Sequence, residues 1–177
     1  MLFGITMRQF ATTLTFMFLA AALQAAIPTP DSALKFHIEK DPRKWVVQHK
    51  DGSKAGFLME LVPAGDTIKA WKEMAAHQIV FTKKSLRKHA DTFKELLLKA
   101  DPKSEVAEET LKDGSILLTY TAKSADETSV RRFIKGKDGI YMLAYHVRPK
   151  IKNEENWRIW SEIVRAAELF PNPEKKK

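Results

Sequence analysis

Residues 129–147 read SVRRFIKGKDGIYMLAYHV, and this stretch decides the fold class. Its two arms, 129–135 and 140–147, are rich in β-branched and aromatic residues, with Lys137-Asp138-Gly139 between them. An Asp-Gly pair tolerates the positive φ angles of a two-residue type I′ turn, so the stretch predicts a β-hairpin. In the second arm Tyr141, Leu143, Tyr145 and Val147 oppose Ile140, Met142, Ala144 and His146. Little on either side is hydrophilic, which predicts a strand covered on both faces.

The same tripeptide recurs as Lys50-Asp51-Gly52 and Lys112-Asp113-Gly114. These predict two further hairpins, joining 44–49 to 54–62 and 104–110 to 115–122. The flanks do not match one another, so shared turn chemistry rather than an internal repeat explains the recurrence. A short strand over 34–39 is expected before the first hairpin. Helices are expected in the gaps. One over 66–80 takes Asp66 as its N-cap and sets Ile68, Trp71, Ala75 and Ile79 on one face. Another over 84–99 aligns Leu86, Ala90, Phe93 and Leu97 before Asp101-Pro102 stops it. The last begins at Asn153, with Glu154 and Glu155 at the positive end of its dipole, and carries Trp157, Trp160, Val164 and Ala167. The expected class is therefore α+β: an antiparallel sheet of about six to seven strands built from three hairpins, with helices packed on its faces as an α/β/α sandwich. Trp45, Trp71, Trp157 and Trp160 are expected in cores on the two sides of that sheet.

Residues 1–25 have the layout of a secretory signal. Arg8 precedes an apolar run from Phe10 to Leu19, and alanine-rich residues 20–26 follow. A run of about 10 apolar residues is short of the roughly 20 that a permanent membrane helix needs. Cleavage after Ala22 fits the small-x-small rule; an uncleaved N-terminal anchor is the alternative. The remainder suits one domain over 33–170 and a short basic tail over 171–177. Cysteine is absent, which excludes disulfides, thiol nucleophiles, cysteine-ligated metals and a lipoprotein anchor. The expected product is exported, periplasmic or secreted, monomeric, and not transmembrane once the signal is removed.

Asp138-Gly139-Ile140-Tyr141-Met142-Leu143, then Trp157, then the closing Ala167-Glu168-Leu169-Phe170, resemble the Mog1/PsbP-like domains. Members carry a dG-x-Y-x-L strand, a tryptophan and a final helix ending near a phenylalanine. Pro42-Arg43-Lys44-Trp45 is similar to the P-x-x-W that opens their first hairpin. Leu169-Phe170 stands where Ser-Phe is often seen. The resemblance spans about residues 33–170 and implies an antiparallel sheet between helical layers. It also implies accessory, assembly or partner-binding work, with no shared catalytic residues to carry over.

The motifs that would specify an enzyme are missing: no Gly-x-Ser-x-Gly, no His-Glu-x-x-His, no phosphate-binding glycine loop and no EF-hand spacing. His37, His49, His77, His89 and His146 are scattered singly, so neither a metal nor a cofactor is expected. His146 is the most interesting of them, because Tyr145 adjoins it and Tyr120 and Glu60 lie on other predicted strands. Glu108-Glu109 would point to opposite faces of a strand, and Glu154-Glu155 cap a helix, so neither is an acid-base pair.

The net charge is +8, which attracts anionic partners; export argues against nucleic acid. Two basic groups are the candidate partner-binding residues. Lys83, Lys84, Arg87 and Lys88 crowd the start of the second predicted helix, against its dipole. Arg131, Arg132, Lys135 and Lys137 belong to the last hairpin. The expectation is a non-catalytic accessory or partner-binding module docking an envelope protein or anionic surface. The alternatives are a merely solvated basic face, and an exported hydrolase whose site assembles only in the fold.

Overall fold

The computed structural model describes residues 28–172; the expected signal and all but the first two residues of the expected tail lie outside them. Among the described residues nine strands run in the order β1 Ser32–Lys35, β2 Trp45–Ser53, β3 Gly56–Pro63, β4 Glu73–Phe81, β5 Glu105–Thr110, β6 Ile116–Ala122, β7 Glu127–Lys135, β8 Gly139–Val147 and β9 Glu168–Pro171. Helix α1, Leu86–Ala100, follows β4, and α2, Glu154–Ala166, follows β8. Seven strands form one antiparallel sheet in the order β2-β3-β4-β8-β7-β6-β5, while β1 and β9 pair separately. β8 stands in the middle of the large sheet and is buried along its whole length. That is the position its two apolar faces require.

The expected α/β/α sandwich is corrected by this architecture, which is mostly β. Only two α-helices occur among the described residues. Neither forms a layer: α1 packs on β6 and β7, and α2 on β7 and β8. The helix expected over 66–80 is absent. Residues 64–72 form an irregular connection, and the remainder is β4, a strand buried on both faces. Glu73, Met74, Ala75, Ala76 and Gln78 are good helix formers, and a strand without a solvated face shows no polar alternation, so helical spacing competed successfully in the pattern. Between β3 and β8, backbone pairing overrides that propensity.

Two of the three expected turns, at Lys112-Asp113-Gly114 and Lys137-Asp138-Gly139, fall between the strands they are expected to join. The first is not type I′: Gly114 has φ 80° but Asp113 has no positive φ, and Leu111 N–H bonds to the Ser115 carbonyl at 2.8 Å. Asp51 and Gly52 instead belong to β2, opposite Leu58 and Phe57, and the chain reverses at Lys54-Ala55. In the third hairpin Lys137 and Asp138 form the tip, closed by Gly136 N–H to the Gly139 carbonyl at 2.9 Å. Gly139 opens β8 where a Cβ would run into the Val80 carbonyl of β4. The first strand spans Ser32–Lys35 rather than 34–39. The last helix begins as expected, with Asn153 accepting from Asn156 N–H at 3.1 Å. The helix over 84–99 is α1, capped by Ser85, which accepts from Lys88 N–H at 3.2 Å.

Leu143, Tyr145 and Val147 of β8 pack with Trp160, Ile163 and Val164 of α2. On the other face Ala90 of α1 covers Ile116, Leu118 and Phe133, and Leu97 covers Tyr120 and Ala122. Trp160 is fully buried, stacked on Tyr145 at 5.1 Å and edge-on to Trp45 at 4.5 Å between centroids. Trp157 joins the same cluster. Trp71 lies on the opposite side, 6.4 Å from the His146 ring.

Candidate functional site: the basic end of the sheet

The strand registers bring the β2–β3, β5–β6 and β7–β8 turns and the exit from β4 to one end of the large sheet. Two basic groups far apart in sequence meet there. Lys135 leaves the end of β7, and its Nζ donates to the carbonyls of Thr82 at 3.1 Å and Lys84 at 3.3 Å. The last hairpin is thereby fastened to the segment carrying Lys83 and Lys84. Lys137 occupies the adjoining turn and Lys88 the first turn of α1. Lys54, at the tip of the β2–β3 turn, adds a charge that the sequence reading missed. Nothing local marks it, because its position depends on a register that places residue 54, not residue 51, at the turn.

Lys54, Lys83, Lys84, Lys88, Lys135 and Lys137 are all exposed, and none forms an ion pair among the described residues. No acidic residue lies in the first turn of α1. The helix N-terminus and the lysines therefore reinforce one positive field, where a helix start normally favours negative charge. Asp138, the acid within the last turn, is turned to internal work: it accepts from Asp31 N–H at 2.7 Å and from the Tyr141 hydroxyl at 2.9 Å.

Three of the eight candidate residues do other work. Arg87 pairs with Asp91 at 3.3 Å and with Glu108, which ties α1 to β5. Arg131 and Arg132 are buried, 7% and 5% exposed, so they are not surface docking residues. Neighbours on a strand point to opposite faces, and β7 is covered on both. Arg132 enters the α2 side, where it donates to Ser115 Oγ at 2.9 Å, Asp113 Oδ2 at 2.6 Å and the Arg165 carbonyl. It thus joins the β5–β6 turn to the negative end of the α2 dipole. Arg131 enters the α1 side, its guanidinium 4.5 Å from the Phe93 ring centre.

His146 also lies on the α1 side, within a buried polar cluster. Its Nδ1 is 2.8 Å from Glu127 Oε1 and 3.1 Å from Ser129 Oγ. The Tyr120 hydroxyl donates to the same Glu127 oxygen at 3.2 Å. Ser129 Oγ donates to the Tyr145 carbonyl at 3.0 Å, so the shared proton between His146 and its partners belongs on Nδ1. Burial pushes the Glu127 carboxyl up, but the His146 ring, the Arg131 charge and the Tyr120 hydroxyl outweigh it and hold the group below its ordinary range. A Ser-His-acid relay needs serine and acid on opposite ring nitrogens. Here both meet Nδ1, and Ser129 is fully buried, which is the geometry of a structural network rather than an activated nucleophile.

The remaining histidines lie on separate elements, with His49 on β2 opposite Glu60. His77 faces the α2 side between Phe36 and Phe57, where burial pushes it down to about 4. His89 packs edge-on to Phe133 in the opposite layer, and His37 meets Glu39. Among the described residues no group of three or more His, Asp or Glu side chains is placed to hold a metal ion. No helix of the described residues is long and apolar enough to cross a membrane. Neither a protein-family model nor a curated protein matches the chain.

Proposed function

We propose that this protein is an exported, non-catalytic accessory module that docks an acidic partner of the cell envelope through the basic end of its sheet. The observation that carries the reading is the convergence there of unpaired lysines from two distant segments, with Lys135 fastening one segment to the other. Export rests on the signal-like layout of residues 1–25. The turns that present Lys54 and Lys137 open from the same end of the sheet, and like charges gathered at one end steer an acidic surface toward it.

Reversing Lys83, Lys84 and Lys137 to glutamate is expected to weaken retention of the purified protein on its host's envelope fraction by about tenfold or more, with the unfolding midpoint unchanged. Retention by the unaltered protein should itself fall as salt rises past the point where the Debye length is about 10 Å. Lys44, Lys69 and Lys72, all exposed and at the opposite end of the sheet, make the matched control of equal charge change. Equal loss from both triplets would reduce the effect to net charge and remove the docking site. The export half of the reading is checked by N-terminal sequencing from the native host, which should find a mature chain beginning between Leu23 and Ile27; an intact Met1 in the cytoplasm would overturn it.

A further inference from the structure

Both ends of the described chain leave the fold at the basic end of the sheet. β1 starts there, because Asp31 N–H donates to Asp138 Oδ2 at 2.7 Å and Ser32 N–H to the Tyr141 hydroxyl at 3.2 Å, both on the last hairpin. The chain then runs inward across the α2 face, where Phe36 meets the His77 ring. β9 is antiparallel to β1 and ends at Pro171, opposite Ser32, so it returns to the same end. Asn172 closes the pair: its N–H donates to the Asp31 carbonyl and its Nδ2 to the Pro30 carbonyl, each at 3.0 Å.

The sequence beyond these two points is apolar on one side and basic on the other. Upstream, the run Phe10 to Leu19 is separated from Pro30 by at most about 40 Å of extended chain. A signal-type segment enters a bilayer during export, so the basic end is the end held toward the membrane. Downstream, Lys175, Lys176 and Lys177 follow Asn172 within about 18 Å of extended chain, adding to the charge of Lys54, Lys83, Lys84, Lys88, Lys135 and Lys137. Protein–protein interfaces are poor in lysine and draw their energy from buried aromatic and arginine anchors. Here the unpaired charge is lysine, and Arg131 and Arg132 are turned inside. Of the large apolar side chains exposed among the described residues, Phe170 alone lies near this end. Val47 near the start of β2, Leu98 near the end of α1 and Ile151 beyond β8 lie toward the other.

We propose, on the strength of the docking reading above, that the acidic partner of the basic end is the headgroup layer of an anionic phospholipid bilayer, with both ends of the described chain directed at the lipid. Lysines on turns from several segments make a diffuse field, which suits a fluid layer of headgroups. Each ammonium is satisfied by whichever phosphate lies beneath it, and the attraction fades within a Debye length. The domain then stands on the surface along its strand direction, with Lys44 and the 64–72 connection farthest from the lipid.

The test is sedimentation of the host-processed protein with vesicles of phosphatidylcholine alone, with vesicles that also contain about one-third phosphatidylglycerol, and with its host's envelope fraction. Binding to the anionic vesicles is expected to be at least about tenfold stronger than to the neutral ones, and to fall as salt rises. Reversing Lys83, Lys84 and Lys137 to glutamate should weaken it at least about tenfold, and the Lys44, Lys69 and Lys72 triplet less than about threefold. Orientation is read separately. Cysteine is absent from the chain, so Ala55→Cys, in the β2–β3 turn, or Ala70→Cys, exposed in the 64–72 connection, carries a single fluorophore. Quenching by headgroup-labelled lipid is expected at position 55 and not at position 70. Retention on the envelope fraction without binding to anionic vesicles would overturn the lipid partner, leave the docking surface intact and make the acidic partner a protein. Binding to neither would remove both. Equal binding to the two kinds of vesicle, or equal quenching at the two positions, would also overturn the lipid-facing end.

Discussion

Replacing Asp41 by alanine is expected to destabilise the protein by about 3–5 kcal/mol, lowering the unfolding midpoint by roughly 10 °C. Its carboxylate, 4% exposed, accepts from the indole N–H of Trp160 at 2.7 Å and of Trp45 at 3.0 Å. It also accepts from the Arg43 backbone N–H at 2.9 Å and Nη2 at 2.7 Å. Arg43 in turn bridges to Glu73 at 2.9 Å, and Glu73 accepts from Asn156 at 3.2 Å and from the Tyr145 hydroxyl. One carboxylate thereby joins the segment before β2 to α2 and, through Arg43, to β4 and β8. Alanine would orphan the Trp160 N–H in a fully buried site, and each such loss costs about 1–3 kcal/mol. Asparagine, which retains one acceptor, should cost less than half as much.

The same residue makes stability depend on pH in a defined direction. Burial pushes the Asp41 carboxyl up, but the hydrogen bonds from Arg43, Trp160 and Trp45 outweigh it and hold the group down at about 2, against an ordinary value of 3.8. A group lowered on folding contributes stability that is complete above the unfolded value and is lost as pH falls through the folded one. The midpoint should therefore fall between about pH 4 and pH 2. Other carboxylates of the fold are also held low, Glu108 and Asp113 among them, so the informative quantity is the difference in slope. Asp41→Asn should be measurably flatter than the unaltered protein in that window, and parallel curves would remove Asp41 from the account.

What could be read from the chain alone follows from how local each signal is. The two apolar faces of residues 140–147 are visible in the sequence and correspond to the central strand of the sheet. The caps at Ser85 and Asn153 bond within three residues of themselves; Asn153 was read directly. Residues 73–81 were misread because their neighbours on both sides are supplied by β3 and β8, distant in sequence. The Asp51-Gly52 pair is no turn because β2 runs on through it to Ser53, with Asp51 and Gly52 paired to Leu58 and Phe57 of β3. At the candidate site, each lysine group was evident, but their union was not, because it depends on β7 and β4 ending on the same side. Arg131 and Arg132 read as surface charges because arginine is seldom buried, and only the covering of both faces of β7 places them inside.

Replacing Glu127 by leucine is expected to cost about 3–5 kcal/mol, although leucine is similar in volume and the site is fully enclosed. The carboxylate is the acceptor shared by His146 Nδ1 and the Tyr120 hydroxyl, and its charge also acts on Arg131 through space. Leucine would leave two buried donors and a buried cation without compensation, which costs more than the pair contributes when intact. Consequently a second substitution should not add to the first. Glu127→Leu combined with His146→Leu removes both partners and should be no less stable than Glu127→Leu alone, with the coupling read from a double-mutant cycle in urea. Glu127→Gln keeps an acceptor for one donor and should lose only about 1–2 kcal/mol. Strictly additive losses would show that His146 and Glu127 contribute independently. The cluster would then be two separately tolerated polar groups, and the order of the α1 face around Arg131 would have to come from the apolar packing of Phe93, Tyr120 and Phe133.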